Sequence, residues 1–140
     1  MPESRPAAEG QRAPADPPPP VPRLVWLAAQ RMTGELHRRL REAGFDDQRP
    51  SDDVVFAHVP PEGIRLTSLA ERAGVTKQAM AEVVDSLVAR GYVARRPDPS
   101  DGRAKLIVFT DRGWAAVSTA VDAIDAIERD LARRLGAPGV

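Results

Sequence analysis

The stretch LTSLAERAGVTKQAMAEVVDSLVARG (residues 66–91) decides the fold. Its first half predicts a short helix capped by Thr67, with the small Ala70 on the inner face. Gly74 follows where the backbone needs a positive φ, and Val75 is expected to plug the turn. The second half predicts a helix that starts near Thr76 and carries one buried apolar stripe. That stripe consists of Met80, Val83, Val84, Leu87 and Val88. Two helices joined in this way form a helix-turn-helix.

A basic hairpin is predicted directly after these helices, in the stretch RRPDPSDGRAKLIVFT (residues 95–110). YVARR and KLIVFT are typical strands, and Ser100-Asp101-Gly102 is a turn signal for the tip. Arg103, just past the tip, is placed to enter a DNA minor groove, with Asp101 holding its guanidinium. Arg95 and Arg96 alternate faces, so one of the two is expected to point at DNA.

The charge of the chain is segregated although its total is zero. Twenty Lys and Arg residues balance twenty Asp and Glu residues, yet residues 64–110 hold eight cations and five anions. That segment is therefore +3 and the remainder is −3. A basic module in a neutral protein indicates a polyanionic partner, here double-stranded DNA.

The exposed start of the second helix is the predicted reader of bases. Gln78 can pair with an adenine edge, Lys77 can reach a guanine or a phosphate, and Ala81 can meet a thymine methyl group. Glu82 can accept from cytosine N4, whereas Asp85 is expected to be solvated because phosphates repel it. The predicted recognition-helix contacts are Thr76, Lys77, Gln78, Ala81 and Glu82, and the predicted wing contacts are Arg95, Arg96, Asp101, Arg103 and Lys105.

Long amphipathic helices are predicted on both sides of this module. Residues 21–43 show a helical period that Gly44 ends, and Thr110 can cap a final helix that runs to about Leu135. The final helix repeats apolar residues every seven positions, which suits packing against another helix. The predicted dimer-interface residues are Val25, Met32, Leu36, Val117, Ile124, Ile127 and Leu131.

The fold class predicted is therefore mainly α with a small β-wing: a winged helix-turn-helix domain flanked by N- and C-terminal dimerisation helices. Residues 1–20 are rich in proline and charge and predict a disordered tail. Residues 21–140 form a single domain, divided into a dimerisation helix (21–44), the winged helix-turn-helix (50–110) and a second dimerisation helix (111–135). Between them, residues 51–58 predict a short helix capped by Ser51, and the stretch IRL predicts a strand.

Several classes of protein are disfavoured. The chain has no cysteine and two histidines, so no metal or other cofactor is expected. No Gly-rich phosphate loop, nucleophile elbow or carboxylate pair points to an enzyme. The longest apolar run is too short to span a bilayer, and no secretion signal is apparent, so a cytoplasmic protein without membrane contact is expected.

The remaining aromatic and histidine residues allow two interpretations. They can line a crevice for a small aromatic effector, or they can be ordinary packing residues. The residues concerned are Trp26, Phe45, Phe56, His58 and Trp114. His58 is expected to cap or pack its short helix, and His37 is expected to be solvated on a polar face.

Residues 66–113 closely resemble the MarR family of winged helix-turn-helix transcription regulators. The matching features are the opening LTSLA, the GYV before the wing, the Asp-x-Arg of Asp101 and Arg103, and FTDRG after the wing. The resemblance covers about residues 21–135. It implies a homodimer that binds a pseudo-palindromic operator, usually as a repressor, and is often released by a small aromatic molecule. Asp101 and Arg103 would shape the wing.

Three departures from the family pattern affect this interpretation. The chain stops soon after Leu135, where many members have a further helix, so the dimer would rest on the first and last helices. Glu82 occupies a position that is often basic or small and polar, and the absence of cysteine excludes the peroxide-sensing branch. The alternative function is a winged-helix protein–protein interaction module without specific DNA binding.

Overall fold

The structure, a computed structural model, describes residues 19–136, so nearly all of the predicted tail lies outside the described residues. Within that range the chain forms five α-helices, one 3₁₀ turn and two strands. The elements are α1 (Val21–Glu42), the 3₁₀ turn (Pro50–Asp52), α2 (Asp53–His58), α3 (Leu66–Ala73), α4 (Lys77–Ala89), β1 (Val93–Asp98), β2 (Asp101–Phe109) and α5 (Asp111–Leu135). The predicted mainly α fold with a two-stranded wing is confirmed.

The two long helices, α1 and α5, pack against each other beside the smaller elements. The predicted cap of α5 is confirmed, since the Thr110 hydroxyl oxygen accepts from the Gly113 N–H at 3.1 Å. Ala116 and Ala123 are buried, and their small side chains permit close approach of neighbouring elements. None of the helices within residues 19–136 is long and apolar enough to cross a membrane.

The helix-turn-helix forms as the sequence predicts, with two differences in its apolar residues. Ala70 is buried and Gly74 takes φ 67°, which ends α3 in the left-handed conformation. Met80, Val84 and Leu87 are completely buried, while Val83 is half-buried. Val75 is 41 % exposed, so the prediction that it plugs the turn was wrong. Val88 is 37 % exposed, so the prediction that it belongs to the buried stripe was also wrong. The buried stripe of α4 is therefore narrower than its apolar residues suggested.

Three local predictions around α2 and α3 were wrong. Thr67 does not cap α3, because the helix already begins at Leu66 and Arg65 is its N-cap residue. Ser51 lies inside the 3₁₀ turn, and Asp52 instead accepts from the Arg49 N–H at 2.8 Å. The expected IRL strand is reduced to one bridge between Ile64 and Ile107, since the chain enters α3 immediately afterwards.

The wing is an antiparallel pair, in which Val93 lies opposite Phe109 and Pro97 opposite Lys105. The tip turn comes earlier than predicted, because Asp98 lies opposite Asp101 and Pro99 and Ser100 form the turn. The hydrogen bonds of the Asp98 carboxylate account for the earlier position of the turn. Its Oδ1 accepts from the Ser100 N–H at 2.9 Å and from the Ser100 hydroxyl at 2.7 Å, a side-chain turn that Pro99 favours.

The first turn of α5 fits closely against the start of β1. Gly113 is buried there, and a Cβ atom at this position would lie 2.1 Å from the Tyr92 carbonyl oxygen. Backbone atoms cannot move aside as a flexible side chain can, so this contact requires glycine. Gly34 in α1 is a useful contrast, since a Cβ there would meet nothing within 4 Å.

We expect Gly113→Ala to lower the free energy of unfolding by about 3 kcal/mol, because the added methyl forces α5 away from β1. Gly34→Ala, the matched control, should raise it by about 0.5–1 kcal/mol through the lower conformational entropy of the unfolded chain. Urea unfolding followed by circular dichroism measures both. Equal small effects of the two substitutions would contradict the close packing at Gly113.

Candidate nucleic-acid interface

The first turn of α4 is held by a side-chain cap and faces solvent. The Thr76 hydroxyl oxygen accepts from the Ala79 N–H at 3.1 Å, which fixes the start of the helix. Because Met80 and Val84 point into the core, the neighbouring face of the helix remains accessible. Of the predicted base-contacting residues, Ala81 is half-buried and the others are exposed, namely Thr76, Lys77, Gln78 and Glu82.

The eight cations of residues 64–110 divide into two groups. Three of them form ion pairs within the chain: Arg65 with Asp98, Arg90 with Asp52, and Arg95 with Asp85. The other five are exposed and have no carboxylate partner among residues 19–136. They are Arg72, Lys77, Arg96, Arg103 and Lys105. Arg72 lies on α3, Lys77 lies at the start of α4, and the other three lie on the wing.

The two arginines at the base of the wing have different surroundings. Arg95 Nη2 donates to Asp85 Oδ1 at 2.6 Å and so bridges β1 to α4. Asp85 was expected to be solvated, but its exposed carboxylate is ion-paired because the wing returns alongside α4. Arg96 lies on the opposite face of the strand, across from Leu106, and has no such partner in the described chain.

The predicted pairing of the Asp101 carboxylate with the Arg103 guanidinium was wrong. Asp101 Oδ1 accepts instead from the backbone N–H of Arg103 at 3.1 Å, since a short aspartate readily bonds two residues along its own chain. A different guanidinium supports the tip: Arg65 Nη2 lies 2.6 Å from Asp98 Oδ2. The hydrogen bonds from Ser100 and then from Arg65 lower the pKa of Asp98 to about 2, so this carboxylate is ionised at neutral pH.

Arg90, at the end of α4, makes a set of contacts that the sequence did not reveal. Its guanidinium reaches both Asp52 oxygens, at 2.7 and 2.8 Å, and the Asp47 carbonyl oxygen at 2.7 Å. It also donates to the Ser86 carbonyl oxygen at 3.2 Å and to the Ser86 hydroxyl at 3.1 Å. Asp52 is buried, and its contact raises the pKa of Arg90. The C-terminal end of α4 is thereby fastened to the segment between α1 and α2.

A second polar contact joins the same segment to α5. The Tyr92 hydroxyl donates to Asp47 Oδ1 at 2.5 Å, and Arg112 Nη2 donates to that oxygen at 3.0 Å. The Arg112 guanidinium also lies over the Tyr92 ring, 4.7 Å from its centre. The Tyr92 hydrogen bond lowers the pKa of Asp47, while burial and that bond raise the pKa of Tyr92. Tyr92 therefore remains a hydrogen-bond donor at neutral pH.

Most residues proposed for an aromatic crevice pack around Tyr92 and Phe109 instead. Phe56 stacks on Phe109 with ring centres 5.4 Å apart, and Trp114 meets Phe109 edge-on at 5.2 Å. Phe45 lies 6.3 Å from the Tyr92 ring. His58 Nδ1 hydrogen-bonds the Val54 carbonyl oxygen at 2.8 Å, as expected for a packing role. These contacts match the packing interpretation.

Trp26, the remaining crevice candidate, lines a cavity of about 540 Å³ along α1. The other lining residues are Ala29, Gln30, Thr33, Gly34, His37, Arg41, Gln48 and Pro50. His37 is buried and its Nε2 lies 3.0 Å from Asp53 Oδ2, so the expectation of a solvated histidine was wrong. Gln48 Oε1 is buried without a hydrogen-bond partner in the described chain. The cavity lining therefore includes an aromatic ring and one guanidinium, that of Arg41.

The predicted dimer residues lie on faces of α1 and α5 that are only partly covered within one chain. Val25 is 62 % exposed, Met32 36 %, Ile124 40 % and Leu131 42 %. Leu36, Val117 and Ile127 are half-buried. Further exposed apolar residues extend the same helices: Val21, Leu24, Leu27, Val121 and Leu135. Such a large apolar surface is typical of an interaction site.

Comparison with known proteins identifies the family. The sequence pattern of the MarR family matches residues 55–104, from α2 to the wing. The transcriptional regulator HosA of Escherichia coli O111:H- is 30 % identical over 90 residues, which is 64 % of this chain and 67 % of HosA. The chain belongs to the MarR family. It is a DNA-binding transcriptional regulator and not an enzyme.

Solved structures of the MarR family agree with the fold. CouR from Rhodococcus jostii RHA1, in a crystal structure with p-coumaroyl-CoA, is 28 % identical, with a TM-score of 0.59 over 74 % of this chain and 71 % of that one. The repressor CouR on a 23-mer DNA duplex gives a TM-score of 0.64 at 23 % identity, covering 83 % and 81 % of the two chains. At that identity the second comparison supports the fold alone.

We expect Arg90→Met to lower the free energy of unfolding by about 3–5 kcal/mol, because it leaves the buried Asp52 carboxylate without its partner. Arg95→Met is the matched control. It breaks an exposed ion pair with Asp85 and should cost less than about 1 kcal/mol. Urea unfolding measures both variants. If the Arg90→Met and Arg95→Met variants were equally stable, the Arg90 contacts would not be what holds α4 in place.

Proposed function

We propose that this regulator is a repressor that binds a pseudo-palindromic operator as a homodimer. The observation that carries the proposal is the set of five exposed cations on α3, α4 and the wing, none of which has a carboxylate partner among residues 19–136. A surface that keeps its cations free of internal carboxylates is suited to phosphates. Repression is favoured because CouR, which is 28 % identical to this chain, is a transcriptional repressor.

In this proposal each part of the surface has a separate role. Gln78 and Lys77 contact base edges in the major groove, with Ala81 and Glu82 beside them. Arg103 enters the adjacent minor groove from the wing, while Arg96 and Lys105 contact phosphates. Arg95 and Asp101, which were predicted as direct wing contacts, instead support the wing through Asp85 and the Arg103 N–H.

The proposed dimer joins the exposed apolar faces of α1 and α5. Burying those faces removes the apolar surface of residues such as Val25 and Ile124 from water. A two-fold axis between the helices presents two copies of α4 on the same side of the assembly. Both copies can dock on DNA if they are about one helical turn apart, roughly 34 Å.

The DNA-binding proposal is tested on duplexes selected by the protein from a random pool. We expect Gln78→Ala to cost about 1–3 kcal/mol of specific binding free energy at one base position and to leave nonspecific binding unchanged.

Arg103→Ala should weaken binding and reduce the slope of log affinity against log salt by about one unit. Fluorescence anisotropy in a salt series measures both effects.

Arg133→Ala on α5 is the control for Arg103→Ala, because Arg133 is an exposed cation paired with Asp130 far along α5 from the wing. It should leave affinity and salt slope unchanged. If the pool yielded no preferred sequence, and Arg103→Ala bound DNA like the wild type, the chain would act as a protein–protein interaction module instead.

We also propose that the cavity along α1 binds a small aromatic acid that weakens DNA binding. Trp26 offers a ring to stack on, and Arg41 offers a cation for the carboxylate. The structure of CouR with p-coumaroyl-CoA, at 28 % identity, gives a family precedent for a ligand with an aromatic acyl group.

The chain has two tryptophans, so 4-hydroxybenzoate and benzoate can be followed by intrinsic fluorescence. We expect both acids to quench Trp26, whose ring lines the cavity. Trp114→Phe should keep the quench, because Trp114 packs on Phe109, and Trp26→Phe should lose it. A quench that survives Trp26→Phe would place the ligand elsewhere.

A further inference from the structure

The tip of the wing is organised around the Asp98 carboxylate. This side chain is almost fully buried although its neighbours at the tip, Pro97 and residues 99–103, are exposed. Oδ1 accepts the two hydrogen bonds of Ser100, and Oδ2 accepts from Arg65 Nε at 2.8 Å and Nη2 at 2.6 Å. One carboxylate thus shapes the turn with one oxygen and anchors it with the other.

Arg65 is a suitable anchor because it is fixed at the base of the helix-turn-helix. It is the N-cap residue of α3, directly after Ile64, which exchanges two backbone hydrogen bonds with Ile107 at 3.1 and 2.8 Å. Gly63 packs against the same strand, where a Cβ atom would lie 2.6 Å from Val108 Cγ1. The segment that carries Arg65 is therefore held against the wing below the tip.

The tip has little other support. A two-stranded hairpin is marginally stable by itself, and this one has an irregular register between Pro97 and Asp98. Within residues 19–136, Arg65 is the side chain outside the hairpin that bonds to the tip, at Asp98 and, at 3.8 Å, at Asp101. Asp101 in turn accepts the backbone N–H of Arg103. The contacts of Arg65 with Asp98 and Asp101 thus support the segment that carries Arg103, the residue proposed to enter the minor groove.

We propose that Arg65 and Asp98 are a positioning pair for DNA recognition: they hold the wing tip at a fixed distance from α4, so that Arg103 meets the minor groove while α4 lies in the major groove. The inference rests on the proposed DNA-binding function. Without the pair, the tip would lose conformational entropy when it binds DNA, and this cost would lower the affinity of the specific complex.

The alternative role for Arg65 is direct contact with a phosphate, and the two roles predict opposite effects of one substitution. Asp98→Asn keeps an oxygen for Ser100 but removes the charge that holds Arg65. If Arg65 is a phosphate contact, freeing it strengthens DNA binding and steepens the salt dependence. If it is a positioning residue, operator affinity falls.

Glu71→Gln is the matched control for charge, since Glu71 is an exposed anion on α3 in the same basic module. Because Asp98→Asn and Glu71→Gln each remove a negative charge, simple electrostatics predicts that both strengthen DNA binding. We expect Asp98→Asn and Arg65→Gln each to weaken binding to the selected operator about tenfold, with nonspecific binding changed less than about twofold. Glu71→Gln should bind the operator at least as tightly as the wild type.

Amide ¹⁵N relaxation of the DNA-free protein supplies a readout that is independent of the operator. We expect the order parameters of residues 100–103 to fall in Asp98→Asn, while those of α4 remain unchanged. Wild-type protein that selects no DNA sequence would overturn the proposed function, and the positioning role with it. Wild-type protein that binds its operator, with an Asp98→Asn variant that binds equally or more tightly or keeps an ordered tip, would overturn the positioning pair alone.

Discussion

The guanidinium of Arg90 connects α4, the helix proposed to read DNA, to the segment between α1 and α2. It satisfies the buried Asp52 and the Asp47 carbonyl oxygen while it also bonds to Ser86 in its own helix. A desolvated charge that lost these partners would be costly, so α4 has one favourable orientation relative to the segment between α1 and α2. The direction in which Gln78 and Lys77 point follows from that orientation.

The wing depends on two further constraints, one steric and one ionic. At its base, the close contact between Gly113 and the Tyr92 carbonyl oxygen fixes β1 against α5. At its tip, the ion pair of Arg65 and Asp98 fixes the turn against α3. Both supports come from outside the hairpin, because two strands alone cannot hold a shape. The DNA-facing surface is thus assembled from short elements that larger neighbours position.

The sequence predicted the elements whose signals are local. The apolar period of α4, the glycine after α3 and the Thr110 cap each lie within a few residues of the feature they specify. The local caps predicted at Thr67 and Ser51 were wrong, and the sequence also failed where a side chain finds a distant partner. Arg90 and Asp52 are 38 residues apart, Arg65 and Asp98 are 33 apart, and His37 and Asp53 are 16 apart. No spacing rule identifies such pairs, so Arg90 and Arg65 were counted among the cations available for DNA.

The central claim is that two copies of α4, brought together through α1 and α5, act on one operator. The most direct test is native mass spectrometry of the selected operator with wild-type protein and with Ile124→Asp, which places a charge on the 40 %-exposed apolar position of α5. We predict two chains per duplex for the wild type, and for the variant a monomer in solution that has lost most of its specific affinity. A variant that is monomeric and binds the operator as tightly as the wild type would contradict the claim.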